Sequence, residues 1–215
     1  MLRKILVSIV LIFLGSATGA NSVIATKQIS LIEYDMQLCS AELVILRGDL
    51  TKLNKISTSK LYKKGLKIRI DGAFRTINWI CRGFIDNNPR VSYLFKELEQ
   101  LFIANKFKDL HFKLDFLIKK YPLNLDQYLP DKVSKEDVKV GVKIYQHYCL
   151  SCHLNHNNQL KLPALSLEVM AKNFSSEEFI ARMIAGVKGN GKIALRNPLN
   201  NKDISSIYSY LLYKE

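Results

Sequence analysis

Five consecutive residues near position 150, Cys149-Leu150-Ser151-Cys152-His153, place the strongest constraint on this chain. Two thiols at this spacing can each form a thioether bond with a vinyl group of haem, and the adjoining imidazole can then bind the iron as an axial ligand. The C-x-x-C-H pattern therefore predicts one covalently attached haem c. Cys149 and Cys152 are the predicted attachment residues, and His153 is the predicted metal ligand.

Two other chemistries use a C-x-x-C pair. A thioredoxin-like redox motif follows a β-strand, whereas the residues before Cys149 have a helical pattern. A zinc site needs a second Cys/His pair downstream, and His156 alone does not supply one. Both alternatives stay open at this point, and covalent haem is the preferred interpretation.

The first 20 residues are typical of a secretory signal peptide. Arg3 and Lys4 precede an apolar run from Ile5 to Leu14, and small residues follow as far as Ala20. The apolar run is shorter than the roughly 20 residues that span a bilayer, although an uncleaved N-terminal anchor remains an alternative. Removal of residues 1–20 would lower the formal net charge from +13 to +11. Export agrees with the haem prediction, and together they predict a periplasmic protein.

The remaining two cysteines, Cys39 and Cys81, form an even pair in a chain predicted to be exported. An oxidising compartment favours one structural disulfide between them. Two buried free thiols are the alternative.

Helical periodicity predicts an all-α protein in two halves. Residues 21–121 are predicted to form a helical bundle domain, beginning with a polar and disordered segment at 21–29. The first predicted helix begins at Leu31, and the others span 60–85, 91–104 and 107–121. Lys52 to Ser59 is predicted to connect the first helix to the second. Trp79 is expected in the core or at its rim. Residues 122–133 contain two prolines and are predicted to be a linker. Residues 134–215 form the second predicted domain.

Most of the positive charge lies in the first half after the signal. The densest basic run comprises Lys60, Lys63, Lys64, Lys67 and Arg69. Such a run is usually a solvated face, but it can also dock to an acidic partner or associate with an anionic membrane surface. Nucleic acid is not an expected partner for an exported protein.

Residues 134–215 resemble a class I c-type cytochrome. The segment from Gly141 to Cys149 is similar to that family's first helix, 174–186 to its middle helix, and 202–213, with Tyr210-Leu211, to its last helix. Leu162-Pro163-Ala164-Leu165 is similar to the segment after the haem motif. The resemblance implies that the Pro163 carbonyl accepts a hydrogen bond from His153 and orients its ring.

The chain departs from that family on the other side of the iron. The segment 189–199 precedes the last helix, where the family supplies a Met ligand, and it contains none. Met183 and Met170 are elsewhere in the domain, and a Met on a helix face is more often core filling. His147 and His156 lie too close to His153 in sequence to reach the opposite face, and Lys188 and Lys192 would have to lose a proton to bind. We therefore expect a weak or absent sixth ligand, with Leu195 or Ile193 in its place.

The resemblance implies a periplasmic electron carrier that exchanges electrons with a redox protein partner, rather than an enzyme. Lysines near the expected haem edge would steer an acidic partner; the candidates are Lys143, Lys161, Lys188 and Lys192. A haem-based module that binds or senses NO or CO is the alternative, because an open iron can take a small ligand. Peroxidase-like catalysis is disfavoured, since the domain has no His in a plausible distal position.

Overall fold

The computed structural model describes residues 17–55, 59–154, 164–188, 194–195 and 198–213. It confirms the all-α class. The helices are α1 (Ala17–Asn54), α2 (Lys60–Ile80), α3 (Arg82–Asn87), α4 (Arg90–Ile103), α5 (Phe107–Lys120), α6 (Lys135–Tyr148), α7 (Leu150–His153), α8 (Leu167–Asn173), α9 (Ser176–Ala185) and α10 (Asn201–Tyr213). Two short strands, β1 (Val187–Lys188) and β2 (Ala194–Leu195), pair antiparallel, with Val187 opposite Leu195.

The first helix corrects two expectations. Residues 21–29 were predicted to be disordered, but they belong to α1, which also continues past Lys52 to Asn54. No proline interrupts the sequence from 17 to 54, so nothing in the backbone forces the helix to end. The segment predicted as one helix over 60–85 is divided at Cys81 into α2 and α3.

The middle of α1 is the centre of the molecule. Between residues 39 and 50 every side chain is buried except Arg47, which is half-buried. The fully buried Leu43, Leu46 and Leu50 contribute to the core, and α1 packs against α2, α5 and α9. A helix surrounded by other helices carries apolar residues on all sides. Other helices therefore cover α1 on several sides in this region.

Cys39 and Cys81 meet where α1 passes the junction of α2 and α3. Both are fully buried, their sulfur atoms lie at disulfide distance (2.03 Å), and their Cα atoms are 4.8 Å apart. The predicted pairing is therefore geometrically satisfied. Closing a loop of this length stabilises a fold by about 3–4 kcal/mol on the chain-entropy model.

In the second half, α6 and α10 cross at very short range. A Cβ atom on Gly141 would lie 2.6 Å from the carbonyl carbon of Ser206 and 2.8 Å from Cβ of Tyr210. The rings of Tyr145 and Tyr210 pack beside this point with centroids 5.4 Å apart. Glycine thus permits the contact, and the two tyrosines extend it.

The predicted linker at 122–133 has no helix, but it is packed against the rest of the chain. Leu123 and Tyr128 are buried, and the Tyr128 hydroxyl donates to Oδ1 of Asn201 at 3.0 Å. The backbone N–H of Asn124 donates to Oε1 of Gln37 on α1 at 3.3 Å. This segment therefore contacts both halves of the molecule.

The two halves also meet directly through α1 and α9, around a buried carboxylate. Asp49 on α1 is 1% exposed and accepts hydrogen bonds from two guanidinium groups. Arg69 of α2 donates from Nε and Nη2, and Arg182 of α9 donates from Nη2 at 2.6 Å. Because the charge has two partners, its burial is compensated.

Glu178 of α9 extends this network toward α1. It accepts from Lys52 and, at 2.6 and 3.0 Å, from Arg182. Burial is the largest influence on the Lys52 ammonium and lowers its pKa, while the hydrogen bond to Glu178 opposes that effect. A Cβ on Gly48 would lie 2.5 Å from Cδ of Glu178, so glycine leaves room for the carboxylate. At the edge of the network, Arg47 donates to Glu177 at 2.5 Å.

In the described part of the chain, no helix combines the length and the apolar character needed to cross a bilayer.

Candidate haem-attachment site

Helix α6 leads directly into the C-x-x-C-H motif. Its start is fixed by a capping box, in which the Ser134 hydroxyl accepts from the Asp137 N–H at 3.0 Å and the Asp137 carboxylate accepts from the Ser134 N–H at 3.1 Å. Its last turn ends on Cys149, whose N–H donates to the carbonyl of Tyr145 at 2.9 Å. The crossing with α10 at Gly141 holds the same helix in place. The motif is therefore attached to a well-fixed helix end.

The two thiols of the motif lie three residues apart on a helical turn. The N–H of Cys152 donates to the carbonyl of Cys149 at 3.2 Å, and α7 carries Cys152 and His153. Residues three apart on a helix share one face, so both sulfurs are on the same side of the chain. Cys149 is buried and Cys152 is exposed, an arrangement that suits a planar group with one edge in the protein and one edge toward solvent.

The His153 ring is oriented by a backbone carbonyl. Its Nδ1 atom lies 2.6 Å from the carbonyl oxygen of Leu165. A carbonyl can only accept, so Nδ1 carries the proton, and in the neutral ring the lone pair on Nε2 is available to a metal. Pro163, the acceptor that the family resemblance implied, lies outside the described residues. Leu165 belongs to the irregular segment 164–166, ahead of α8, and this segment brings its carbonyl to the ring.

Burial also controls the chemistry of Cys149. Desolvation, with a smaller contribution from the neighbouring Cys152, raises the pKa of the Cys149 thiol to about 11. A thiol with so high a pKa is a poor nucleophile at neutral pH. This property does not suit a thioredoxin-like dithiol, which depends on an acidic attacking cysteine.

Four apolar side chains near the motif are exposed. Tyr148 and Leu154 flank it in sequence, Leu165 and Val169 follow it, and all four side chains are exposed. These residues are candidates to cover a haem or to contact a partner at its edge.

The candidates for a sixth ligand lie in different places. Met183 is buried on α9, and Met170 is half-buried on α8, a helix that the sequence did not predict. His147 is exposed and its ring packs edge-on against Tyr148, with centroids 4.6 Å apart. In the segment 189–199, where the family supplies its Met ligand, Leu195 lies on β2 and pairs with Val187. Ile193, Lys192 and His156 lie outside the described residues.

Among the lysines expected near the haem edge, Lys143 is exposed on α6. Lys188 lies on β1, and Lys161 and Lys192 fall outside the described residues. Within the described ranges, no group of three or more His, Cys, Asp or Glu side chains is placed to hold a metal ion.

The contact between α1 and α9 was not predicted from the sequence. Asp49 and Glu178 have partners on the other helix that are more than 100 residues away in the chain, a separation that local sequence patterns do not bridge. On α1, Gly48 and Asp49 form the contact with α9.

Comparison with models of protein families, with curated protein sequences and with solved structures found no match.

Proposed function

We propose that the chain is a periplasmic c-type cytochrome with one covalently attached haem. The observation that carries this proposal is the combination of two thiols on one face of a helical turn with an adjoining imidazole whose Nδ1 is held by the Leu165 carbonyl. That hydrogen bond orients the ring and presents Nε2 as a ligand. When bound, the haem would supply an iron that alternates between ferrous and ferric states.

Within the class of c-type cytochromes, the chain is proposed to transfer electrons to or from a redox protein partner. Three properties of its own residues support this role. Cys152 is exposed, so one side of an attached group would be accessible. The exposed apolar residues Tyr148, Leu154 and Val169 offer a contact surface, and Lys143 offers a positive charge to an acidic partner.

Covalent attachment is tested by mass spectrometry of the exported protein, produced in cells that carry out cytochrome c maturation. We expect the peptide that contains Cys149 and Cys152 to carry one haem, and haem-linked peroxidase staining to persist after denaturation. Cys149→Ala and Cys152→Ala should each remove one thioether bond. Cys39→Ala together with Cys81→Ala is the matched control and should retain the haem. An unmodified Cys149–Cys152 peptide from correctly exported protein would contradict the proposal.

A second function is favoured by the sequence ahead of α10. Because residues 189–199 include no Met, the iron is proposed to have a weak or absent sixth ligand and to bind NO or CO. Helix α9 packs on α1, and this contact would transmit a structural change in the second half to the bundle. Reduced protein that binds CO at low concentration would favour this sensing role, and a low-spin spectrum with a Met–iron band would exclude it.

A further inference from the structure

The outer face of α2 carries an exposed line of large apolar side chains. Leu61, Ile68 and Trp79 are exposed, and Trp79 is 76% exposed although it was expected in the core or at its rim. The spacings of 7 and 11 residues place all three on one side of the helix. The opposite side of α2 carries the residues that enter the core, including Leu66, Ile70 and Ile77. At 1.5 Å per residue the exposed line is about 27 Å long.

Basic residues flank this line. Lys60, Lys64, Lys67 and Arg75 are exposed on α2, and the first eleven residues of the helix contain five basic residues and no acidic one. Asp71 is the acidic residue of the helix, and it pairs with Arg75 at 2.9 Å. Glu99 of α4 also acts electrostatically on Arg75. Asp71 and Glu99 thus reduce the positive charge near Arg75. The positive charges of Lys60, Lys64 and Lys67 are not reduced in this way.

The exposed aromatic residues of α5 provide a comparison within the same molecule. Phe112 and Phe116 lie one turn apart and are both exposed. However, α5 carries four lysines and two aspartates, a net charge of +2, whereas α2 carries six basic residues and one aspartate, a net charge of +5. The basic character is therefore stronger beside the apolar line on α2, and exposure of apolar residues alone does not distinguish the two faces.

We infer that the outer face of α2 binds the surface of an anionic lipid bilayer. Apolar side chains aligned on one face of a helix can enter a flat interface together, and tryptophan favours the boundary between lipid and water. Lysines beside the apolar line are attracted to anionic headgroups. An acidic protein could use the same charges, but it would need a concave groove about 27 Å long to cover the apolar line. The lipid surface is the occupant that the shape and the charge favour together.

The test uses the purified, exported holoprotein and two kinds of vesicle, phosphatidylcholine alone and phosphatidylcholine mixed with phosphatidylglycerol. We expect co-sedimentation with the anionic vesicles and little with the neutral ones, and we expect it to weaken at high salt. Trp79 is the only tryptophan. Its emission should therefore shift to shorter wavelength on binding and be quenched by brominated acyl chains.

Two triple variants separate the effect of the lysines on α2 from the effect of the protein's total charge. Replacing Lys60, Lys64 and Lys67 by Gln should weaken partitioning about 100-fold, since each lysine near an anionic surface contributes about a factor of 5. Replacing Lys106, Lys108 and Lys119 by Gln removes the same charge from exposed positions on and before α5 and should leave partitioning nearly unchanged. Circular dichroism verifies that both variants are folded.

Several outcomes would overturn the inference. Absence of co-sedimentation with the anionic vesicles would do so, as would equal binding to both vesicle types or equal weakening by the two triple variants. Binding to polyglutamate without binding to vesicles would assign the face to an acidic protein instead. Co-sedimentation reports on the α2 face whether or not haem is attached, so failure of the proposed function and failure of this inference are distinguishable.

Discussion

The Cys149 and Cys152 thiols have different surroundings although they share one face of a helical turn. Cys149 is buried at the end of α6, and Cys152 is exposed on α7. The motif therefore offers one accessible sulfur and one desolvated sulfur, with the Leu165 carbonyl holding His153 beside them.

This difference predicts unequal reactivity in protein isolated without haem. The pKa of Cys149 is raised from 9.0 to about 11, so fewer thiolates are present below pH 9 than for an ordinary cysteine. We expect iodoacetamide to alkylate Cys149 at least about 10-fold more slowly than it alkylates Cys152 at pH 8. The Cys149 rate should rise as the pH approaches 11, which peptide mass spectrometry can follow. Equal rates in the folded protein would show that Cys149 is not desolvated.

At the scale of single residues, the sequence predicted the motif but not its orienting partner. The C-x-x-C-H spacing is local, so Cys149, Cys152 and His153 could be recognised from five residues. The carbonyl that meets His153 is 12 residues away, and its position depends on how the intervening loop folds. Local sequence does not contain that information.

At the scale of helices, α6 and α10 make a close crossing at Gly141. Gly141 allows the backbone of Ser206 to approach to a distance at which any side chain would collide. Because α6 ends on Cys149, a displacement at this crossing would also move the candidate haem site.

Gly141→Ala should therefore destabilise the protein by about 2–3 kcal/mol, because the added methyl group has no space and the helices must separate. Chemical denaturation followed by circular dichroism measures the change. Gly72→Ala on α2 is the matched control: a Cβ there has no atom within 4 Å. It should stabilise the helix by about 0.5–1 kcal/mol. A neutral effect of Gly141→Ala would mean that the crossing can relax.

Most helices could be predicted, and the errors have identifiable causes. The expected segments 91–104 and 107–121 agree with α4 and α5 to within one residue at each end, because turn residues surround clear apolar stripes. The start of α1 was predicted wrongly because a polar stretch was read as disorder. Trp79 was expected in the core or at its rim, but its side chain lies on the outer face of α2. On that face the residue type alone does not indicate whether the side chain is buried.

At the scale of the whole molecule, the charged network between α1 and α9 joins the two predicted halves. Asp49 has almost no exposure and is bound by Arg69 and Arg182 from two different helices. The boundary at 122–133 remains a prediction from composition. The structure adds a buried ionic contact across that boundary, which pairwise charge patterns along the sequence could not reveal.

Asp49→Asn should destabilise the protein by about 3 kcal/mol, because the two guanidinium groups would lose their shared carboxylate in a site with little water. Denaturant titration of the purified variant measures this loss. Asp71→Asn removes an exposed carboxylate that pairs with Arg75, and it should cost less than about 1 kcal/mol. If both variants lose the same small amount of stability, the Asp49 network is solvated and does not join the halves.

The segment 122–133 packs against both halves of the molecule, and α1 lies at its centre. A protease that cleaved the backbone in this segment on the C-terminal side of Tyr128 would produce two pieces that still share the α1–α9 contact, the Arg182–Asp49 ion pair and the Tyr128–Asn201 hydrogen bond. The nicked molecule would remain a noncovalent complex and elute at the size of the intact chain, so a clean cut on a denaturing gel would be no sign of two independent modules.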